Sequence, residues 1–440
     1  MALGGVVANI TSTVTNTVLA RKWLAQKLIA LAELQLVLRP LCDEVKLDQG
    51  MGKTANFPKV ARANLPLSPL TEGSDPDESA FPSISSVTVT VEQWGAFFTL
   101  TDVSELTTSH PILQIAVERL ADVAARLIDS EIGKVMLGGT SVRYANGQAN
   151  RGALTSADKM DEFELQKLRV ILASAGAPAR RGVLYDLVMP SEVEADLQKA
   201  QANFGTWAAR EAFREDAPAL RDATIGQFLG HNCIRSNFLP FAQRLGNDTT
   251  AITTSATNAN AIGVGIEKVT GSMGLTGTYP VKVTRVDPQR GYEEMITKGH
   301  TIDPSSQDVK FTVVSSDTNA YYFYMAAAAG DPTDDSIYYK VAGPLTAGQT
   351  ATIAAIPTSG THPPATPPSS GDKVFICFNV AREALNLVTL QNLVTTMTPP
   401  EESESNPLAL RRKVGFKFMN KAGRRDETRL IRWEGESSLG

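Results

Sequence analysis

Histidine and cysteine are scarce in this chain, with four and three copies among 440 residues. The cysteines, Cys42, Cys233 and Cys377, are odd in number and far apart. That excludes a disulfide framework and any zinc site built on closely spaced cysteine pairs. Buried thiols in a reducing compartment are the expectation. The histidines, His110, His231, His300 and His362, are not spaced with one another, with cysteine or with carboxylates as a ligand set.

An excess of one charge is also missing. The 42 basic and 47 acidic residues leave a net charge of −5, so the balance points to neither nucleic acid nor an anionic membrane. Long apolar runs are absent too. The greasiest stretch, residues 23–41, carries Lys27, Glu33 and Arg39 and does not read as a membrane span. The opening Met1-Ala2-Leu3-Gly4-Gly5 lacks a positive segment followed by an apolar one, so no secretory leader is expected. The sequons at Asn9 and Asn247 then carry no meaning.

Catalytic signatures fail on inspection. Gly52-Lys53-Thr54 resembles the end of a phosphate-binding loop, but Leu47 stands where the first glycine belongs and Phe57-Pro58 follows in place of a helix. Ser272 lacks the first glycine of a nucleophile elbow, with Thr270 in its place. Glu293-Glu294 and Asp334-Asp335 lack the spaced oxygens of a calcium loop. No dinucleotide fingerprint appears. The expectation is a non-enzyme, with no catalytic residue, no cofactor and no metal.

What is present is a long helix. Pro111 opens it at the position where a missing N–H costs nothing. Ile112, Ile115, Ala116, Leu120, Val123 and Leu127 recur at helical spacing, with Val117, Ala124 and Ile128 widening the stripe. Asp122 and Arg126 sit four apart on the wet side, and Gly138-Gly139 stop the run. At ~1.5 Å per residue the rod is roughly 40 Å long.

Around that helix the chain changes texture. Residues 1–42 read as an arm, helical around Leu19, Trp23, Lys27 and Leu31, then strand-like at Leu34, Leu36 and Leu38 before a break at Arg39-Pro40. Residues 43–85 are rich in glycine and proline and almost free of periodicity, and a loop of that length gains order by lying on something else. Val87, Val89 and Val91 alternate as a strand that Trp94, Phe97 and Phe98 continue, so the arm leaves and returns like a hairpin.

Residues 160–240 read as α/β. A helix carries Leu165, Leu168 and Leu172 and ends at Gly176; a buried strand includes Val183, Leu184, Tyr185, Leu187 and Val188; a capping box at Ser191–Glu194 starts a second helix; and a glycine turn with a short strand fills 225–239. Residues 201–222 read as a charged loop. Residues 241–372 are rich in threonine, serine, alanine and glycine, with short β-runs at 261–269, 280–286, 309–315, 320–324 and 336–341, and a proline-rich linker at 358–371. An all-β block inside an α/β pattern suggests an inserted module. The host resumes at 373–380, and 414–419 with 429–433 read as a closing β-hairpin.

Basic residues gather at Lys53, Lys59 and Arg62 on the arm and at Arg411, Arg412, Lys413, Arg424, Arg425, Arg429 and Arg432 near the end. Acidic runs lie at Glu401-Glu402-Ser403-Glu404 and at Asp75, Asp77 and Glu78. A solvated face is one reading; complementary pairing with acids on a neighbouring chain is the other.

The order of elements resembles the major capsid proteins of tailed bacteriophages, the Hong Kong 97-type α+β fold. The likeness rests on Phe57-Pro58-Lys59 to Leu70-Thr71-Glu72-Gly73, on VTVEQWGAFFTLTD at 89–102, on the helix at 111–138, on 185–190 with the Ser191 helix, and on 225–240 and 414–434. By this resemblance 1–42 is the N-terminal arm, 43–105 the extended E-loop with its strands, 106–159 the spine helix and P domain, 160–240 the first part of the A domain, 241–372 an accessory β-rich domain as in some short-tailed phages, and 373–440 the return. Residues 201–222 are then the loops at the capsomer centre. The family implies pentamers and hexamers in an icosahedral shell around double-stranded DNA, bound without sequence specificity. It also implies a separate scaffolding protein, a portal, possible decoration proteins, assembly in the bacterial cytoplasm and a final place in the virion. Some members crosslink an E-loop lysine; Lys53 and Lys59 are present, but no acid or asparagine partner is identified and no crosslink is expected. An encapsulin-like compartment shell shares the fold and is the alternative. A third reading, from another class, is a hydrolase or carbohydrate-binding protein whose Tyr321, Tyr322, Tyr324, Tyr338 and Tyr339 stack on sugar rings.

Overall fold

The computed structural model describes residues 26–31, 36–48, 50, 52–60, 81–101, 112–200, 224–242, 258–259, 264–269, 279–286, 288, 291–295, 300–302, 308–313, 319–327, 337–355, 357–363, 373–398 and 410–439. The chain forms two compact units, Met1–Val135 with Glu383–Asp426, and Met136–Arg382 with Glu427–Gly440.

The first unit is built on the helix Ile112–Leu137. Ala116, Val117, Leu120, Ala121, Ala124 and Ile128 are buried along it, as the apolar stripe requires. Arg126 pairs with Asp122 at 2.6 Å on the outer side. Ile115, expected in the stripe, is exposed. A four-stranded sheet runs in the order Asp43–Lys46, Leu385–Thr398, Arg411–Arg424, Glu92–Thr101, with the first pair parallel and the others antiparallel. Val414, Phe416 and Phe418 are buried, whereas Lys413 and Lys417, at the alternate positions, are exposed, the two-residue period of a sheet with one wet face.

A two-stranded ribbon leaves this sheet. Thr54–Val60 pairs antiparallel with Ile84–Thr90, from Thr54 opposite Thr90 to Val60 opposite Ile84. At its base Ala55, Val89 and Val91 form a small core with Val388, joined by Leu47, Phe57 and Leu390. The hairpin-like arm read from the sequence is therefore present. The expectation that 43–85 lacks regular structure is corrected at Asp43–Lys46 and Thr54–Val60. Pro58 hid the second strand, yet both ribbon strands are edges, where a missing N–H is tolerated. The strand expected around Leu36 and Leu38 is also corrected. Residues 36–38 are irregular, and Arg39–Leu41 is a single 3-10 turn with Pro40 in its first positions.

The second unit centres on a seven-stranded sheet. Its order is Val142–Tyr144, Leu430–Gly435, Val374–Val380, Tyr185–Met189, His231–Arg235, Thr224–Phe228, with Phe241–Ala242 beside Val374–Val380. Every residue of Val374–Val380 and Tyr185–Met189 is buried, as expected for strands covered on both faces. The helix Glu162–Ser174 supplies Leu165, Leu168 and Leu172 to a core shared with Leu187, Val193, Cys377 and Trp433. Asp161 caps this helix by accepting the Glu164 N–H at 2.7 Å. Gly176 at φ +65 ends it; its N–H donates to Ala173, and the Ala177 N–H donates to Leu172, both at 3.0 Å.

Three local readings change here. Val183 lies in an exposed turn, and the buried strand begins at Tyr185. Pro190, not Ser191, precedes the helix Ser191–Ala200: its carbonyl accepts the Glu194 N–H at 3.1 Å, while the Ser191 hydroxyl bonds to the Glu192 carboxylate. The segment 225–239 holds two strands, not one, joined by Leu229-Gly230 at φ +45 and +86, which suits a tight hairpin turn.

The closing hairpin is overturned. Arg411–Arg424 pairs with Leu385–Thr398 and Glu92–Thr101 in the first unit, and Leu430–Gly435 pairs with Val374–Val380 and Val142–Tyr144 in the second. The strand Leu385–Thr398 was not expected at all.

The five β-runs expected between 261 and 341 each contain a strand. They fall in two antiparallel sheets, one with Asn258–Ala259, Val264–Val269, Asp308–Val313 and Thr350–Ile353, the other with Glu293–Met295, Tyr279–Val286, Ala320–Ala326, Tyr338–Leu345 and His300–Ile302. Val281, Val283, Val309, Phe311 and Phe323 fill one core, with Phe311 and Phe323 stacked at 4.5 Å. The loop 201–222, the linker beyond 363, Arg62, the acidic runs at 75–78 and 401–404, Asp334-Asp335, His110 and Ser272 lie outside the described residues.

Candidate functional site: an exposed ribbon and an open sheet face

His231, His362 and the three cysteines have identifiable structural surroundings. His231 is fully buried, its Nε2 is 3.1 Å from the Leu165 carbonyl, and burial pushes its pKa down to about 4. The exposed His362 places Nδ1 2.9 Å from the Tyr338 carbonyl, to which it donates. Cys42, Cys233 and Cys377 are buried thiols outside any disulfide, as expected. Burial pushes the Cys233 thiol up to about 12, far from the reactive thiolate range. Among the described residues, no group of three or more His, Cys, Asp or Glu is placed to hold a metal. No helix among them is long and apolar enough to cross a membrane.

Glu293 sits in a satisfied network. It accepts from the Thr284 and Tyr324 hydroxyls and lies 3.8 Å from Lys340, whose ammonium caps the Tyr322 ring at 3.4 Å. Tyr321, Tyr324 and Tyr338 are buried, so these three form no exposed stacking platform. Lys53 does not head a helix: Thr54 begins a strand, and the Lys53 carbonyl accepts the Val91 N–H at 2.9 Å.

Unsatisfied surface lies elsewhere, on the first unit. Away from its base the ribbon exposes Val60 by 53%, Phe81 by 77% and Ile84 by 61%. Val60 and Ile84 are the last pair of the two edge strands, and Phe81 lies just before the second strand. One residue before the outermost described pair, Lys59 reaches Asp426 at 2.7 Å. Of the two readings left open for the arm's basic residues, a solvated face or a partner on a neighbouring chain, Lys59 shows neither alone: it is half-exposed and its acid lies in the same chain.

The wet face of the four-stranded sheet is the second feature. Phe97 stands opposite Gly415, Lys417 opposite Gly95, and Lys413 opposite Thr99. A Cβ on Gly415 would come within 2.8 Å of the Phe97 Cβ, and one on Gly95 within 2.7 Å of the Phe416 carbonyl oxygen. Glycine therefore makes room for each bulky partner across the ladder. Phe97 is 64% exposed, and the Lys413 ammonium lies 5.7 Å from its ring centre. Exposed apolar surface on a ribbon and a flat mixed face is a combination that suits docking between chains.

No protein-family model matches the chain, and no curated protein matches it in sequence. Solved structures do. The capsid of Ralstonia phage GP4 superimposes with a TM-score of 0.50 at 12% identity, covering 90% of this chain and 87% of that one. The two share a fold. The α+β capsid fold expected from the order of elements is thus the one found. The capsid asymmetric unit of cyanophage Pam1 is similar at a TM-score of 0.48 and 11% identity, covering 89% of this chain and 87% of that one. The acidic stable capsid of Helicobacter pylori bacteriophage KHP30 is similar at 0.47 and 10% identity, covering 89% and 88%.

Proposed function

We propose that this chain is a major capsid protein that self-assembles into the head shell of a tailed phage. The observation that carries the reading is the pairing of a phage-capsid fold over nine-tenths of the chain with a ribbon whose outer apolar residues are uncovered. Buried against another copy, Phe81, Ile84 and Val60 contribute roughly 1.5–3 kcal/mol each. Such modest contacts, repeated around a closed lattice, hold a shell that no single contact would hold.

In this reading the ribbon is the E-loop, Ile112–Leu137 the spine helix, the first unit's sheet with it the P domain, and the seven-stranded sheet the A domain. The two sheets between 258 and 353 form the accessory domain. The partners are other copies in pentamers and hexamers, a scaffolding protein, a portal and decoration proteins. The shell encloses double-stranded DNA after assembly in the bacterial cytoplasm, and the chain acts as a structural protein and not an enzyme.

Expression of the chain with and without a scaffolding partner, followed by sedimentation and negative-stain electron microscopy, tests this. Closed particles of uniform size are expected. Monodisperse small species under every assembly condition would count against it.

A further inference from the structure

The two edges of the first unit's four-stranded sheet are built differently. One is Asp43–Lys46, four residues of which Asp43, Glu44 and Lys46 are charged. A short, charged edge is how a sheet refuses further strands. The other is Glu92–Thr101, ten residues reading EQWGAFFTLT. It holds no proline and no lysine. Its one charge, Glu92, stands at the first position and pairs with Lys421 at 3.0 Å. The ladder with Arg411–Arg424 runs without a shift from Glu92 opposite Asn420 to Thr101 opposite Arg411, so no bulge turns this edge away.

In an antiparallel ladder every second residue of an edge strand turns both its N–H and its C=O outward. From Gln93 to Leu100 those groups have no backbone partner beyond Arg411–Arg424 among the described residues. The side chains beside them are apolar on both faces. Phe97 is exposed on the open face, and Phe98 is 38% exposed on the side of its buried partner Val414. A strand added here pairs the outward backbone groups and covers both rings.

We propose that Glu92–Thr101 joins subunits edge to edge, pairing antiparallel with the same strand of a second copy about a twofold axis at Phe97. This pairing rests on the shell reading, which supplies the second copy. Contact between like edges satisfies both open strands at once, as an isologous interface requires. The antiparallel arrangement keeps the two Glu92 carboxylates at opposite ends, whereas a parallel one in register would set them side by side. A twofold axis normal to the sheet pairs residues of equal parity, so the register centred on Phe97 sets Gln93 opposite the partner's Thr101. Gly415 stands opposite Phe97 within the chain and leaves its ring uncovered there. The partner's Phe97 covers that ring from the other side, as an aromatic cross-strand pair.

Cysteine pairing in assembled particles tests this. Directly opposite residues of an antiparallel pair have Cα atoms about 4.5–5.5 Å apart, within disulfide reach. The native cysteines are buried and stay out of the reaction. After oxidation, Phe97→Cys is expected to shift from monomer to covalent dimer on a non-reducing gel. Gln93→Cys and Thr101→Cys are each expected to stay monomeric alone and to form the dimer when the two variants are co-assembled. Normal particles with no dimer from either combination would overturn the proposal. So would a dimer from Phe97→Cys joined only to Val60→Cys, which places the ribbon of another copy on this edge. Equal dimer from Gln93→Cys alone marks random collision and counts the same way. If the wild type forms no particles, the shell reading fails by its own test. The same oxidation of the concentrated, unassembled chain then decides the edge: a dimer at Phe97→Cys keeps the pairing, and its absence sinks it.

Discussion

Arg151 and Glu434 meet as a two-pronged ion pair, with Nε to Oε2 at 2.6 Å and a terminal nitrogen to Oε1 at 2.7 Å, 283 positions apart in sequence. Both are buried, and Arg432 closes on the same carboxylate at 2.9 Å. Burial alone would raise the Glu434 pKa, but the two guanidiniums outweigh it and hold it below the usual range. The pair fastens the loop after the long helix to the strand Leu430–Gly435. Glu434→Met takes the carboxylate from the buried Arg151 guanidinium, and a loss of about 3–5 kcal/mol is expected in urea unfolding of the unassembled subunit. The wild-type contribution is present above the ordinary glutamate pKa and fades as pH falls below it, so the gap between variant and wild type narrows in strong acid.

His231 gives a second pH dependence. Its pKa falls from 6.5 to about 4 in the fold, so the neutral ring is favoured there. The stability it supplies is full above 6.5 and fades toward 4, a loss of about 2 kcal/mol between pH 7.5 and 5. Burial raises the Asp129 carboxyl from 3.8 to about 6, so that group acts in the opposite direction. The measurement is therefore a difference: urea midpoints of wild type and His231→Gln at both pH values, with the variant expected to lack that loss.

Gly435 bears against Trp433. A Cβ there would lie 2.2 Å from the ring of this fully buried tryptophan and 2.9 Å from the Asp158 carbonyl oxygen. The ring has no room to retreat. Gly435→Ala is expected to cost roughly 1–3 kcal/mol by overpacking, read from thermal melting of the second unit's signal.

Ribbon substitutions should separate folding from assembly. Phe81→Ser and Ile84→Ser touch exposed residues and are expected to change subunit stability by less than about 0.5 kcal/mol. Particle yield, measured by sedimentation, should fall sharply. Lys59→Met removes a half-exposed partner of Asp426 and is expected to cost no more than about 1 kcal/mol.

The sequence was most legible where one period ran unbroken. The stripe from Ala116 to Ile128 placed the long helix, and Leu165, Leu168 and Leu172 placed the second. Leu385–Thr398 was not legible because its register with Arg411–Arg424 shifts twice, between Thr389 and Gln391 and again before Val394. Those bulges break the alternation on which strand reading depends. Arg411–Arg424 and Leu430–Gly435 were read as one hairpin because neighbours in sequence usually pair. Here the chain passes from one unit to the other between Asp426 and Glu427. The exposed face at Phe97, Lys413 and Lys417 showed as charge and aromatics in the sequence. Its geometry depends on cross-strand partners, Gly415 and Gly95, that no local pattern reveals.

A cryo-electron microscopy map of assembled particles at side-chain detail addresses the main claim directly. The account predicts that Val60, Phe81 and Ile84 of one copy lie buried against a different copy. Closed particles in which these three side chains face solvent, or fold back onto their own polypeptide, would contradict it.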